Sequence, residues 1–131
     1  MEGALTPHRI VNPETLPSPA GFAHAVVAAP GRTVYLGGQI GEGETIAAQF
    51  AAAARNVVTA LRAAGAEPEH LVSLTIFVTD VEEYRKALAP IGASYRKHFG
   101  KHYPAMALFE VSRLFEQDAR VELVAIAVVP A

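Results

Sequence analysis

A chain of 131 residues, 51% hydrophobic and only 18% charged, has room for one core and enough apolar surface to offset its ordering entropy, which excludes a disordered tail and a second domain. The formal net charge of −2 gives no electrostatic ground for a dedicated nucleic-acid or membrane-surface binder, and the absence of cysteine excludes a disulfide framework and a thiolate nucleophile or metal site. Residues 1–10 lack a basic region followed by an apolar stretch, and no run approaches the ~20 apolar residues of a membrane span, so the expected address is the cytoplasm.

Residues 1–20 carry Pro7, Pro13, Pro17 and Pro19, which forbids a helix and predicts an extended arm, with a short strand around residues 8–11. Residues 24–29 and 33–40 are apolar runs on either side of Pro30-Gly31, and read as a hairpin. Gly37, Gly38, Gly41 and Gly43 then open a loop. Over residues 45–64 the period changes: Ile46, Phe50, Ala53, Val57 and Leu61 form one stripe at helical spacing, with Thr45 as N-cap and Gly65 at the left-handed C-cap position. Residues 71–79 alternate, with Val72, Leu74, Ile76 and Val78 on one face and Ser73, Thr75, Phe77 and Thr79 on the other, which predicts a strand.

Asp80 with Glu83 resembles a capping box that opens a second helix. Tyr84, Leu88, Ile91, Tyr95 and Phe99 line its buried side, and Pro90 predicts a kink or split near Ala89. Residues 106–111 and 121–129 are the last two strands, with a polar turn near Gln117 and Asp118. The order is hairpin, helix, strand, helix, hairpin: an α+β fold, a mixed β-sheet with two helices on one face. Yet Val34, Tyr35, Leu36, Leu108, Phe109, Val121, Leu123, Val124, Ile126 and Val128 supply apolar groups to both faces. Two helices cannot cover both. A bare apolar face on the order of several hundred Å2 predicts self-association; the alternative is that the N-terminal arm covers it.

Several segments together resemble one family. Gly21-Phe22-Ala23-His24-Ala25-Val26 is similar to its Gly-Pro-Tyr-Ser-Gln-Ala-Val stretch, and Leu36-Gly37-Gly38-Gln39-Ile40 to its Ser-Gly-Gln-Ile motif. Gln49 and Asn56 fall where its first helix carries Gln and Asn. Ala64-Gly65, the strand from Leu71 to Asp80, Pro104-Ala105, Val111, Leu114 and Val121-Glu122-Leu123-Val124-Ala125-Ile126-Ala127 follow in the family's order. On these residues the chain is identified as a member of the RidA/YjgF family, also described as L-PSP endoribonuclease-like. The ordered set, from about Ile10 onward, carries the resemblance rather than any single motif.

The resemblance implies a chorismate-mutase-like fold, a homotrimer with a central barrel, and three clefts at subunit boundaries that take a small molecule without a cofactor. It implies hydrolysis of reactive enamines and imines to 2-keto acids and ammonia. An imine carbon is already electrophilic, so water needs positioning more than activation. The substrate carboxylate calls for a bidentate cation, which is arginine chemistry. In the family that arginine follows Pro-Ala; here Met106 stands there. The family's water-orienting glutamate is present as Glu122, and the orienting carbonyl falls on Leu108. Its cleft tyrosine maps to Phe22, which lacks the hydroxyl, and its cleft asparagine to Gly92. Backbone around Gly37 borders the cleft, and His24 is a further candidate at its rim. Leaving a carboxylate without its partner in a buried site costs about 3–5 kcal/mol. The departures therefore put the 2-iminoacid deaminase activity in doubt and imply a more apolar ligand, or one that carries its charge elsewhere. A non-catalytic small-molecule-binding or chaperone-like trimer is the alternative, and RNA cleavage a weaker one.

Competing readings stand beside these. Glu122 is either a cleft carboxylate or a strand carboxylate satisfied by backbone or by Arg120. Arg113 could replace the missing cation, but an arginine at this point in the family lies outside the pocket. His24 and His102 read as surface or interface histidines. His98 and His102 have a zinc-compatible spacing, but Gly100 lies between them and no third ligand is evident. The glycines from 37 to 43 lack the Lys-Ser/Thr ending of a phosphate loop. Arg96, Lys97, His98, Lys101 and His102 read as a solvated helix end, since no aromatic stacking platform accompanies them as an RNA contact would require.

Overall fold

The structure, a computed structural model, describes residues 5–131; residues 1–4 of the expected arm lie outside the described residues. The stripe of apolar side chains forms α1, Ile46–Ala63, with Phe50, Ala53, Val57 and Leu61 fully buried. Thr45 Oγ1 accepts from the Ala48 N–H at 3.1 Å, and Gly65 takes φ +84° just past the end, a conformation that carries a penalty for any residue with a Cβ. A 3-10 turn, Pro68–His70, leads into β4, Leu71–Val78.

The second helical region is two helices, α2 (Val81–Lys86) and α3 (Leu88–Phe99). The break falls at Ala87, slightly before the expected position. In a continuous helix Pro90 would clash with the Lys86 carbonyl; after the break it sits in the first turn of α3, where a missing N–H removes no bond. Asp80 caps α2 by accepting from the Glu83 N–H at 3.0 Å. The reciprocal half of the box is absent, because the Glu83 carboxylate instead accepts from Arg120 at 2.8 Å. Ile91, Tyr95 and Phe99 are buried as expected, whereas Leu88 is 56% exposed.

Strands β1 (Arg9–Val11), β2 (Ala25–Val27), β3 (Gly31–Tyr35), β5 (Ala105–Glu110) and β6 (Val121–Pro130) complete the chain. Neither expected hairpin forms. β2 pairs with β1 in a separate two-stranded sheet, while the main sheet runs β3-β6-β4-β5. At the first site, Pro30 has no N–H, and the Ala29 N–H donates to His8 Nδ1 at 3.0 Å instead of across a turn. The Pro30 carbonyl accepts from Ala131 at the far end of β6. At the second site, the connection from β5 to β6 is too long for a tight turn, and it carries the chain past β4. β5 returns parallel to β4 through α2 and α3, and β6 lies antiparallel on β4's other side.

A bulge between Leu71 and Ser73 resets β4, so that Leu71 is fully buried and Val72 is not. The helices cover one face of the sheet, whose inward residues include Leu74, Ile76, Val121, Leu123 and Ala125. The register places Tyr35, Phe77, Phe109, Glu122, Val124 and Ile126 on the other face. No helix of the described residues is long and apolar enough to cross a membrane.

Candidate functional site

The expected site residues fall into two groups on opposite faces of the sheet. Leu74 of β4 lies between Met106 and Ala125, and Ile76 lies between Leu108 and Leu123; this line of side chains points toward the helices. Phe77 lies between Phe109 and Glu122; this line points away from them. Because side chains alternate along a strand, Met106 and Leu108 cannot share a face with Glu122 of the same chain.

On the helix side, a cavity of about 650 Å3 opens between α2, α3 and β5, and it contains Phe22, Gly92, Met106 and Leu108. Phe22 is brought there by its neighbour. The buried Ala23 donates its N–H to the Pro104 carbonyl at 3.0 Å and bridges to Ala105 as a short parallel addition to β5. The backbone of β5 also faces this rim. Val111 donates to the Val78 carbonyl and Pro104 accepts from Ala23 on the other side. By alternation, Ala105, Ala107 and Phe109 bond to β4, while Met106 and Leu108 direct their N–H and C=O groups to the open edge. The Leu108 carbonyl is thus on an edge that no strand among the described residues pairs with.

Three tyrosines, unassigned by sequence reasoning, line the same cavity: Tyr84, Tyr95 and Tyr103. Tyr95 and Tyr103 stack with centroids 5.0 Å apart, and the Tyr95 hydroxyl donates to the His102 carbonyl at 2.7 Å. Burial pushes the Tyr84 phenol up to about 12. Burial, with Tyr103 and Tyr84 alongside, raises Tyr95 as well. The Tyr84 and Tyr95 phenols stay protonated near neutrality. Among the described residues that line it, the cavity holds no carboxylate or histidine, and Arg96 on α3 is its one cation.

On the bare face, Glu122 lies against Gly38. A Cβ placed on Gly38 would meet the Glu122 carboxylate, so a larger residue there would displace the Glu122 side chain from its present position. Gln39 holds the loop in place by exchanging both backbone hydrogen bonds with Leu123 (2.8 and 2.9 Å), and its side-chain amide donates to the Gly37 carbonyl. Two residues of α1 fix the same loop from below. Asn56 donates to the Ile40 carbonyl at 2.8 Å. The buried Gln49 donates to the Gly43 and Asp118 carbonyls and accepts from the Arg120 N–H. Arg120 pairs with Glu83, so it does not satisfy Glu122, which is half-buried and whose carboxylate makes no hydrogen bond within the described residues.

The histidines lie elsewhere. His24 Nε2 is 2.7 Å from the Pro17 carbonyl and its ring packs edge-on against Phe22; it supports Phe22 without lining the cavity. His102, expected at a surface or interface, is buried and its Nε2 lies 2.7 Å from the Leu71 carbonyl. His98 is on α3 and His102 is beyond its end, so the pair does not share a helix face. Arg113 borders a different depression, beside Arg120 and Asp118.

Comparisons with known proteins bear on the family and the fold. The chain matches the profile of the family described as Endoribonuclease L-PSP over residues 14–129. It is 26% identical over 129 residues to the human 2-iminobutanoate/2-iminopropanoate deaminase, covering 92% of this chain and 89% of that one. It is 34% identical over 88 residues to the deaminase of the same name from Salmonella typhimurium, covering 65% of each chain. Among solved structures, a Rid family protein from Yersinia pestis is similar with a TM-score of 0.81 and 29% identity, over 93% of this chain and 98% of that one. A YjgF/YER057c/UK114 family member from Mycobacterium tuberculosis is similar with a TM-score of 0.66 and 35% identity, over 83% and 87%.

Proposed function

Because the chain belongs to the RidA/YjgF family, described as Endoribonuclease L-PSP, we propose that it hydrolyses the C=N bond of a small reactive imine or enamine in a cleft completed by a second copy of itself. The separation of the two half-sites carries this reading. Cavity and Leu108 edge lie on one face and Glu122 on the other, so one chain holds the binding surface and the carboxylate apart. A homotrimer would bring the cavity of one protomer against the bare face of its neighbour and bury Phe109 and Tyr35, which are 52% and 76% exposed.

In that cleft, the Leu108 carbonyl and Glu122 would hold a water against the imine carbon. Water oxygen bonds to carbon as the C=N π electrons move to nitrogen, and Glu122 accepts the water proton. From a protonated imine this leaves a neutral carbinolamine; the proton on Glu122 passes to its nitrogen, and as the C–N bond breaks the hydroxyl proton returns to Glu122, giving the carbonyl and ammonia. Phe22, Gly37, Gly92 and Met106 would shape the pocket, with His24 behind Phe22.

A second reading, a non-catalytic small-molecule binder on the same scaffold, is favoured by one observation. On the correspondence that the family resemblance implies, the positions of its cleft arginine, tyrosine and asparagine are taken by Met106, Phe22 and Gly92, whose side chains offer no hydrogen-bond donor. Ammonia release from imines generated in situ, with and without protein, separates the two. Hydrolysis predicts acceleration that Glu122→Gln reduces about 100-fold or more. It also predicts that 2-iminobutyrate is a poor substrate that Met106→Arg improves. No acceleration with any imine would leave the binding reading.

A further inference from the structure

We propose that the helix-face cavity selects a carboxylate carried on an aromatic or similarly bulky apolar body, with Arg96 supplying the cation that Met106 does not. The proposal rests on the cavity being the ligand site, and does not depend on hydrolysis taking place there. Arg96 belongs to the last turn of α3, and its guanidinium turns back along the helix toward Gly92, one turn earlier. A Cβ built on Gly92 would lie 3.4 Å from Arg96 Nη1. A larger side chain at position 92 would extend into the space the guanidinium uses.

Arg62, Arg85 and Arg120 each pair with a glutamate. The Arg96 guanidinium makes no ion pair or hydrogen bond within the described residues, and the cavity it lines contains no carboxylate among them. A guanidinium without an acidic partner at the rim of an otherwise apolar pocket presents its forked donors to an incoming anion, and a planar carboxylate matches them.

The rest of the cavity sets what that carboxylate is attached to. Met106 and Leu108 line the same cavity, and the stacked Tyr95 and Tyr103 rings supply aromatic surface. About 650 Å3 lies within the range of pockets that enclose drug-sized molecules, well beyond what a four-carbon acid fills. An apolar body placed against Met106 and the tyrosines desolvates them, while its acid end reaches the rim. Methionine can adjust to rings of different shape. The substrate class is therefore an arylalkyl or comparably large 2-imino acid, rather than the small aliphatic one named for the relatives.

Titration calorimetry with two probes, 3-phenylpropionate and its neutral amide 3-phenylpropionamide, tests this on the intact protein. The acid is expected to bind roughly tenfold more tightly than the amide, with a preference that shrinks as salt is added. Propionate is expected to bind far more weakly than either. Arg96→Gln removes the acid's advantage and leaves the affinity for the amide unchanged; Arg96→Lys keeps part of the advantage. Unchanged melting temperatures of the variants show that folding is not the cause, since Arg96 is exposed. Equal affinity for acid and amide, an acid preference that survives Arg96→Gln, or failure of both probes to bind overturns the proposal. A clear acid preference without imine hydrolysis would retire the catalytic reading and leave this one standing; hydrolysis with no acid preference would do the reverse.

Discussion

The two faces of the main sheet come from alternate residues of the same strands, yet they are put to different uses. Toward the helices, Leu74, Ile76, Leu123 and Ala125 meet α1 and α3 and disappear from solvent. Away from them, the Phe77 and Phe109 rings stack at 6.0 Å beside a half-buried carboxylate, and Tyr35 stands 76% exposed. The first face is stabilised within one chain. The second is apolar, and the Glu122 carboxylate on it has no hydrogen-bond partner among the described residues. The lesson is that alternation along a strand can divide a candidate site as effectively as it divides core from surface.

Substitutions read out that contrast. Phe50→Ala, on the covered side, empties a fully buried position and is expected to cost about 3–5 kcal/mol in denaturant unfolding. Phe109→Asp, on the bare side, is expected to leave the chain folded while sedimentation shows a 13.9 kDa monomer in place of an assembly. If Phe109→Asp unfolds the chain outright, the faces are less independent than described. Gln49→Ala removes three hydrogen bonds that hold the loop beside Glu122. It is expected to lower stability by about 1–2 kcal/mol, because it leaves part-buried backbone groups without their side-chain partner. Asp80→Ala, which uncaps α2 on the covered side, is expected to cost about 1 kcal/mol.

A gradual effect follows from pH. His102 titrates below its ordinary value, first because it is buried and then because His8 is near; the Leu71 carbonyl and Glu69 oppose this. The folded state thus resists a proton that the unfolded chain accepts at about 6.5. Stability is fully present above that pH and declines as pH falls toward the lower folded value. His102→Gln is expected to flatten this part of the curve in urea titrations at pH 5 to 8.

The elements were legible in the sequence, because each rests on local chemistry: the α1 stripe, its Thr45 cap, the alternation of β4 and the proline that divides the second helix. The pairing was less so. Nothing near Pro30 reveals that the Ala29 N–H goes to His8, and nothing local tells β5 to run beside β4 rather than turn into β6. The same holds for the candidate site. Its residues could be named from resemblance, but their division between two faces needed the register. Arg96 read as a solvated helix end because its direction depends on Gly92, one turn away. The signal was the spacing: positions 88, 92, 95 and 96 share a helix face.

Subunit complementation tests the proposed division of the site most directly. One variant, Glu122→Gln, keeps the cavity; a second, Gly92→Phe, fills the cavity and keeps Glu122. Each alone is expected to be inactive in imine hydrolysis. After subunit exchange, the mixture is expected to recover activity at seams that join an open cavity from one protomer to Glu122 of its neighbour. A mixture no more active than its two components would contradict the account, since cavity and carboxylate would then have to come from the same chain.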